Sequence, residues 1–388
     1  MNKRTLIIGS GQAAITLVRE LRKLDASREI TLVTADDGDF YSKPNISNAF
    51  AAGKQAAELV LTPASRLAGD LRLEMLTRTA VASIDAARRE IVTAQGRLGY
   101  EQLVLAVGAS PIPLRLAGDG APDVVSINNL ADYAGLRARL AGKHRVAIVG
   151  AGLIGCELAN DLRLGGYAVD LFDTADHPLG RLLPPGSGHY LRDRLVAIGI
   201  CFHPGVKPDA LRRDGEGYVL IDSRGRTQRY DLIISAIGLR PNLALAKTAG
   251  IATGLGIITD KLLLTSQPDI YAIGDCIEFD GHFLPYVMPI MHGAKKLAQT
   301  LNGNPQTLSY PAMPIVLKTP ACPTVVCPPP PVAGHWEEVL AEEGTRALFV
   351  EADSGEACGF VLQGSFTRER MALAARMPGL GKPLPQPA

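Results

Sequence analysis

Twice along this chain a short apolar run ends in glycine and opens into a stretch with helical spacing. Thr5-Leu6-Ile7-Ile8-Gly9 leads into Gly9-Ser10-Gly11-Gln12-Ala13-Ala14, and an amphipathic pattern then continues to about Leu24. A second apolar run, Ile30 to Thr34, closes a strand–helix–strand unit. The pattern returns with Arg145 to Val149, the turn Gly150-Ala151-Gly152-Leu153-Ile154-Gly155, a helix to about Leu164, and a strand Ala168 to Phe172 that ends in Asp173. Each unit has the length that half of a dinucleotide-binding fold requires.

The glycine spacing has a physical reason. The first glycine makes the turn, the second lets backbone N–H groups approach a pyrophosphate, and the third permits close helix–strand packing. Ala14 takes the third position in the first unit. One such loop is a weak signal, whereas two, each preceded by a strand and followed by a helix, predict two nucleotide sites. Asp173 lies 23 residues beyond Gly150, where a partner for a ribose 2′-hydroxyl belongs. A carboxylate there repels a 2′-phosphate, so NADH is expected over NADPH, with Arg181 too far along to argue strongly otherwise. In the first unit the strand runs out through Thr34-Ala35-Asp36-Asp37, making Asp36 a candidate ribose partner and a solvated turn acid the competing reading.

Composition narrows the class. At about 150 residues per domain, 388 residues favour two to three domains. With 47% hydrophobic and 20% charged residues, disorder is excluded for most of the chain. Forty Lys plus Arg against 39 Asp plus Glu leave a net charge of +1, so no global field favours nucleic acid or a membrane surface. The apolar run after Met1-Asn2-Lys3-Arg4 is too short for a secretory signal and no long apolar span follows, so a cytoplasmic location is expected. The six cysteines (Cys156, Cys201, Cys276, Cys322, Cys327, Cys358) form no CxxC, and the seven histidines show no HExxH or HxxxH spacing. Neither a bound metal nor a thioredoxin-type dithiol is expected.

Three further stretches carry a resemblance. Leu103-Val104-Leu105-Ala106-Val107-Gly108, Asp231-Leu232-Ile233-Ile234-Ser235-Ala236-Ile237-Gly238 and Asp269-Ile270-Tyr271-Ala272-Ile273-Gly274-Asp275 are similar to the crossover strands and flavin-ribityl motif of the FAD-dependent pyridine nucleotide reductases, flavoproteins with two dinucleotide-binding domains. The likeness spans residues 5 to 275. It implies an α/β protein with two Rossmann-like domains, one for FAD and one for NADH, plus a small α+β C-terminal domain. The FAD domain would be discontinuous, 1–110 and 242–310, with the NAD domain inserted at 111–241 and the third domain at 311–388.

By this resemblance FAD would be met by Gly9, Ser10, Gly11, Gln12, Ala13, Ala14, Thr34, Ala35, Asp36, Lys43, Pro44, Val81, Gly108, Gly274, Asp275, Val287 and Lys318, with Asp275 on the ribityl chain. NADH would be met by Gly150, Gly152, Leu153, Ile154, Gly155, Glu157, Asp173 and Gly238. Glu157 is read as beginning the helix after the second loop, where the nicotinamide would meet the flavin; a first-turn Glu favoured by the helix dipole is the rival reading. Lys43 could pair with it across the flavin edge, which would make Lys43 and Glu157 the catalytic pair. Lys318 is otherwise one solvated lysine among many.

The strings Tyr41-Ser42-Lys43-Pro44, Gly150-Ala151-Gly152-Leu153-Ile154-Gly155-Cys156-Glu157, Tyr286-Val287-Met288-Pro289 and Val316-Leu317-Lys318-Thr319-Pro320-Ala321-Cys322-Pro323 resemble members of the family that reduce rubredoxin, a small acidic iron protein, and through it an alkane hydroxylase. Ferredoxin reductases are similar but usually carry Lys where this chain has Asn48. Ferredoxin or flavorubredoxin as the carrier, and a flavoprotein acting as a binding or signalling module, are the alternatives. The loop Tyr41 to Ser47 has no cysteine, so neither a disulfide relay nor a single reactive thiol is expected there. Cys322 and Cys327 are read as inert buried thiols. Flavin accepts a hydride and can release its electrons singly, which suits NADH to an iron carrier.

Gly281 to Thr319 contains Lys295, Lys296 and Lys318 and no Asp, Glu or Arg, and Phe40 to Ala57 carries Lys43 and Lys54 alone. These lysines could steer an acidic carrier, or be ordinary solvated side chains. In the third domain, strands are expected at Ala347 to Glu351 and Gly359 to Gln363 and a helix at Thr367 to Met377. Pro328 to Pro331 is expected to be a rigid interdomain strap, and the Pro-rich end from Pro378 to Ala388 to fray.

Overall fold

The computed structural model describes residues 4–380; the tail from 381 on, to which most of the expected fraying refers, lies outside the described residues. The chain divides into two compact units. The first comprises Met1–Lys43, Val60–Ser110 and Leu239–Tyr310, the second Pro44–Leu59, Pro111–Gly238 and Pro311–Ala388.

In the first unit a parallel sheet has the strand order Ile270–Ala272, Gln102–Leu105, Thr5–Ile8, Ile30–Val33, Glu74–Leu76. Every residue of its three middle strands is buried, as covering on both faces demands. Helix α1 (Gln12–Leu24) buries Ala13, Ala14, Ile15, Leu17, Val18 and Leu21, the helical spacing visible in the sequence. Burying a Leu or Ile of this kind contributes roughly 1.5–3 kcal/mol. The Val287–Leu301 helix packs on α1. The strand after α1 stops at Val33, leaving Thr34 just beyond it.

The second unit repeats the plan, with strand order Cys201–His203, Ala168–Phe172, Arg145–Val149, Leu232–Ser235, all parallel. Helix α2 (Leu153–Leu164) follows the second glycine loop, and α3 (Pro185–Ala197) follows the strand that ends at Phe172. Each unit also places a three-stranded antiparallel meander before its crossover strand: Val81–Asp85, Glu90–Thr93, Gly96–Gly99 in the first and Pro208–Asp214, Gly217–Asp222, Thr227–Tyr230 in the second.

Residues 311–380 build a five-stranded antiparallel sheet, ordered Ile315–Leu317, Thr324–Cys327, Ala357–Gln363, Gly344–Glu351, Gly334–Ala341. Val325, Phe360 and Leu362 form its core with Leu373 and Met377. The expected helix at Thr367 to Met377 is instead a 3₁₀ segment, Gly364–Glu369, and a short α-helix, Arg370–Ala374. Gly364 has φ +59° and Thr367 Oγ1 donates to Gly364 O at 2.8 Å, a local bond that competes with helix propagation. Pro328 to Pro331 is not an interdomain strap. It leaves the Thr324–Cys327 strand and leads to the far edge of the same sheet, packing so closely on it that a Cβ at Gly359 would meet Pro329 N at 2.8 Å.

One segment falls outside the domain limits read in the sequence. Residues 44–59 belong to the second unit because Asp161 on α2 accepts from Phe50 N and Ala51 N, and Tyr133 donates to Lys54 O at 2.7 Å. Residues 311–380 are grouped with 111–238 in that unit while keeping a sheet and core of their own. Glu338 at the sheet edge caps α3 by accepting from Gly186 N, Ser187 N and Ser187 Oγ at 2.7–3.0 Å, a carboxylate at the positive end of a helix.

Candidate dinucleotide sites

The two glycine loops are shaped alike. Gly9 has φ +111° and Gly150 φ +103°, and a Cβ on either would meet a crossover carbonyl, Ala106 O at 2.3 Å or Ala236 O at 2.6 Å. A Cβ on Gly155 would lie 1.8 Å from Gly150 O, so glycine is obligatory there, while the corresponding Ala14 fits, fully buried. Gly11 and Gly152 are the N-caps of α1 and α2, and neither helix has a side-chain cap. Nothing lies within 4 Å of where their Cβ atoms would stand. Uncapped N–H groups beneath open space at a helix start fit a pyrophosphate, so both loops fit a dinucleotide.

In the first unit Asp36 lies beyond the strand and is exposed. Its Oδ1 accepts from Ser10 Oγ at 2.8 Å, Thr34 Oγ1 at 2.6 Å and Gly38 N at 3.0 Å, tying the turn to the glycine loop. Ala35 beside it is exposed too. Gly274 lies against Ala13 of the loop, and Asp275 follows it, half-buried. Burial pushes the Asp275 carboxyl up and the nearby Lys43 ammonium opposes this. Val81 opens the meander, Gly108 (φ +65°) follows the crossover strand, and Val287 is exposed at the start of its helix, which also lacks a side-chain cap.

In the second unit Asp173 Oδ2 accepts from Ala151 N at 2.5 Å and Oδ1 from Ala175 N at 2.8 Å. Leu179 N donates to Ala151 O at 2.8 Å, so the segment after the strand folds over the loop. Leu153 and Ile154 open α2, and Gly238 (φ +112°) follows the crossover strand. Glu157 does not begin the helix. It is the fifth residue, in the second turn, and buried, so the dipole at the first turn does not account for it. Glu157 Oε1 accepts from Lys318 N at 2.8 Å and Oε2 from the Ser47 hydroxyl. Lys318 Nζ donates to Pro44 O at 3.2 Å. The structure thus brings Pro44, Ser47, Glu157 and Lys318 into one hydrogen-bonded group.

Sequence reasoning missed Ser47, Asn160 and Asp161. Asn160 Oδ1 accepts from Ala321 N at 3.2 Å and Asp161 holds Phe50 and Ala51. For Asn160 and Asp161 the available signal was their helical spacing with Glu157 on a helix otherwise apolar enough to be buried; Ser47 carried none.

All six cysteines are free thiols. Burial pushes Cys322 and Cys327 up to about 11 and Cys276 up to about 12, which keeps them protonated and unreactive. Asp170, Cys201 and His203 on neighbouring strands place three donor atoms within 4.8 Å of one another, a grouping that sequence spacing could not reveal. There the Asp170 carboxylate is bonded to His203 Nε2 at 2.6 Å and to Arg145 at 3.2 Å. Among the described residues no helix is long and apolar enough to cross a membrane.

Residues 3–302 match the family described as pyridine nucleotide-disulphide oxidoreductase, and residues 307–377 match the rubredoxin binding C-terminal domain. The chain is 42% identical over 377 residues to the rubredoxin-NAD(+) reductase of Alcanivorax borkumensis, covering 97% of this chain and 98% of that one. It is 39% identical over 385 residues to the nitric oxide reductase FlRd-NAD(+) reductase of Aeromonas hydrophila, covering 97% of each. The solved ferredoxin reductase of Rhodopseudomonas palustris superposes with a TM-score of 0.87 at 27% identity, over 97% of this chain and 96% of that one.

Proposed function

This chain belongs to the pyridine nucleotide-disulphide oxidoreductase family, and from that membership we propose that it is an FAD-dependent reductase passing electrons from NADH to rubredoxin. The observation that carries the choice of acceptor is the match of residues 307–377 to a rubredoxin binding domain. An alkane hydroxylase is the terminal acceptor in this reading.

The chain's residues divide the work. The uncapped start of α1, with Gly9 to Ala14, takes the FAD pyrophosphate, and Asp36 and Asp275 take hydroxyls of its ribose and ribityl chain. The start of α2 takes the NADH pyrophosphate, and Asp173 takes the adenosine ribose and disfavours a 2′-phosphate. FAD held there would supply hydride acceptance and release of electrons one at a time. Lys43 supplies positive charge beside Asp275, and Glu157 orders Ser47 and the Lys318 peptide. With every cysteine a free thiol and none in residues 41–59, no sulfur relay stands between hydride donor and iron carrier.

Exposed Lys54 and Lys295, with Lys43, Lys296 and Lys318, steer the acidic carrier. The test is anaerobic NADH-dependent bleaching of oxidised rubredoxin by FAD-loaded protein, with ferredoxin and a flavorubredoxin as parallel acceptors. Rubredoxin should be reduced fastest. Preference for another carrier, or a need for added thiol, would overturn the reading.

A further inference from the structure

Helix α2 does more than open on the second glycine loop. Three buried side chains in its second and third turns accept main-chain N–H groups from two distant segments. Glu157 takes Lys318 N, Asn160 takes Ala321 N at 3.2 Å, and Asp161 takes Phe50 N at 2.8 Å and Ala51 N at 3.0 Å. Glu157 and Asp161, four residues apart, lie on one face, so one rigid helix holds residues 47–51 from two points.

Asp161 is the costly member of the set. It is 3% exposed, and burial pushes its carboxyl up while the N–H groups of Ala51, Phe50 and Ala49 pull it back. Arg137 is the cation near it, lying over the rings of Phe50 at 5.1 Å and Tyr133 at 5.9 Å. A leucine could fill the same interior without the desolvation cost, so the carboxylate serves the two N–H groups it bonds. Two acceptor oxygens on consecutive N–H groups fix the orientation of the peptide as well as its place.

We propose that Asp161 is a positioning residue for hydride transfer: it fixes residues 44–51, which begin one residue past Lys43, to the helix whose first turn receives the nicotinamide dinucleotide. This deepens the function proposed above and rests on it. From Gly152 to Asp161 the helix rises about 13 Å, a fixed spacer between the nucleotide loop and the held segment. A displacement of about 1 Å at a distance from the chemistry can cost on the order of a hundredfold in rate. Loosening the 44–51 segment should therefore lower the limiting rate of flavin reduction and leave nucleotide affinity alone.

The test uses the FAD-loaded full chain with Asp161→Asn and Asp161→Ala. Anaerobic stopped-flow mixing with NADH gives the limiting bleaching rate and the apparent Kd separately, and hydrogen exchange reads the amides of residues 47–51. In Asp161→Ala the limiting rate should fall about 10- to 100-fold, with Kd changed less than about twofold and FAD retained. Asp161→Asn, offering one acceptor oxygen for two N–H groups, should fall between. Exchange at 47–51 should speed up in both while α2 keeps its protection. An unchanged limiting rate, a rise in Kd alone, or unaltered exchange overturns the proposal, and Asp161→Asn carries the test if the alanine variant does not hold FAD. A wild-type protein that NADH cannot bleach removes the functional reading itself, whereas a normally bleached wild type with an equally fast variant removes this inference alone.

Discussion

The Asp173 carboxylate accepts from Ala151 N at 2.5 Å, so the acid just past the Ala168–Phe172 strand also braces the second glycine loop. One side chain therefore shapes the glycine turn and, in the proposed function, meets the ribose. Asp173→Ala should raise KM for NADH about tenfold or more, the loss of one charge-assisted hydrogen bond being about 1.5–3 kcal/mol. The NADH over NADPH preference should narrow at the same time. Steady-state kinetics with both nucleotides checks this; an unchanged preference would place the discriminating group elsewhere.

Glu157 serves two donors while 9% exposed, and its removal takes this acceptor from both the Ser47 hydroxyl and the Lys318 N–H. Glu157→Ala should lower stability by about 2–6 kcal/mol, from about 1–3 kcal/mol for each of the two donors. Glu157→Gln keeps one acceptor oxygen and should lose roughly half as much. Urea unfolding of the FAD-loaded variants gives both numbers, and equal losses would mean that only volume matters at this position.

Lys43 opposes the upward push of burial on Asp275. In Lys43→Ala the Asp275 carboxyl should move further up, so flavin reduction should be slower and its acid limb should shift to higher pH. FAD content should stay near stoichiometric. The pH dependence of the limiting bleaching rate decides it: an acid limb at the wild-type position would detach Lys43 from Asp275.

Burial pushes the Asp170 carboxyl up, but the hydrogen bond from His203 and the Arg145 charge outweigh it and hold the group below the usual carboxylate range. A folded-state value below the unfolded one means stability that is complete above the ordinary carboxylate pKa of about 3.9 and is lost as pH falls through the folded value. Asp170→Asn should therefore be less stable than wild type at pH 7, with the gap closing below about pH 4. Equal gaps at pH 7 and pH 3 would assign the effect to packing instead.

Much of this architecture is legible in local pattern. The strands Arg145–Val149 and Ala168–Phe172 and the helix ends at Leu24 and Leu164 follow from apolar runs and glycine turns, because those signals are local. The Gly364–Ala374 region misled because Thr367 bonds its own backbone, which periodicity does not register. Asp161 and Asn160 were faint for another reason. Their partners are main-chain N–H groups at 50–51 and 321, and a backbone donor leaves no mark in the sequence at its own end of the bond, so only the polar spacing on α2 pointed to them. Asp170, Cys201 and His203 likewise meet only through strand pairing, Asp170 lying opposite Cys201 in the sheet.

The lysines expected to steer a carrier differ in what they are free to do. Lys318 Nζ donates to Pro44 O, so part of its hydrogen-bonding capacity is spent within the site, although its charge remains. Lys295 and Lys54 are exposed. Exposed charges act on a partner through encounter rate more than through the bound complex, and salt screens them with a Debye length of about 10 Å at 0.1 M. The second-order rate of rubredoxin reduction should therefore fall as ionic strength rises, and Lys295→Glu should lower it several-fold at low salt and little at high salt. The rate of flavin reduction by NADH in the same variant should not move, because Lys295 has no part in nucleotide binding. A rubredoxin rate indifferent to salt, or a Lys295→Glu deficit that persists unscreened at high salt, would return these side chains to the ordinary solvated surface.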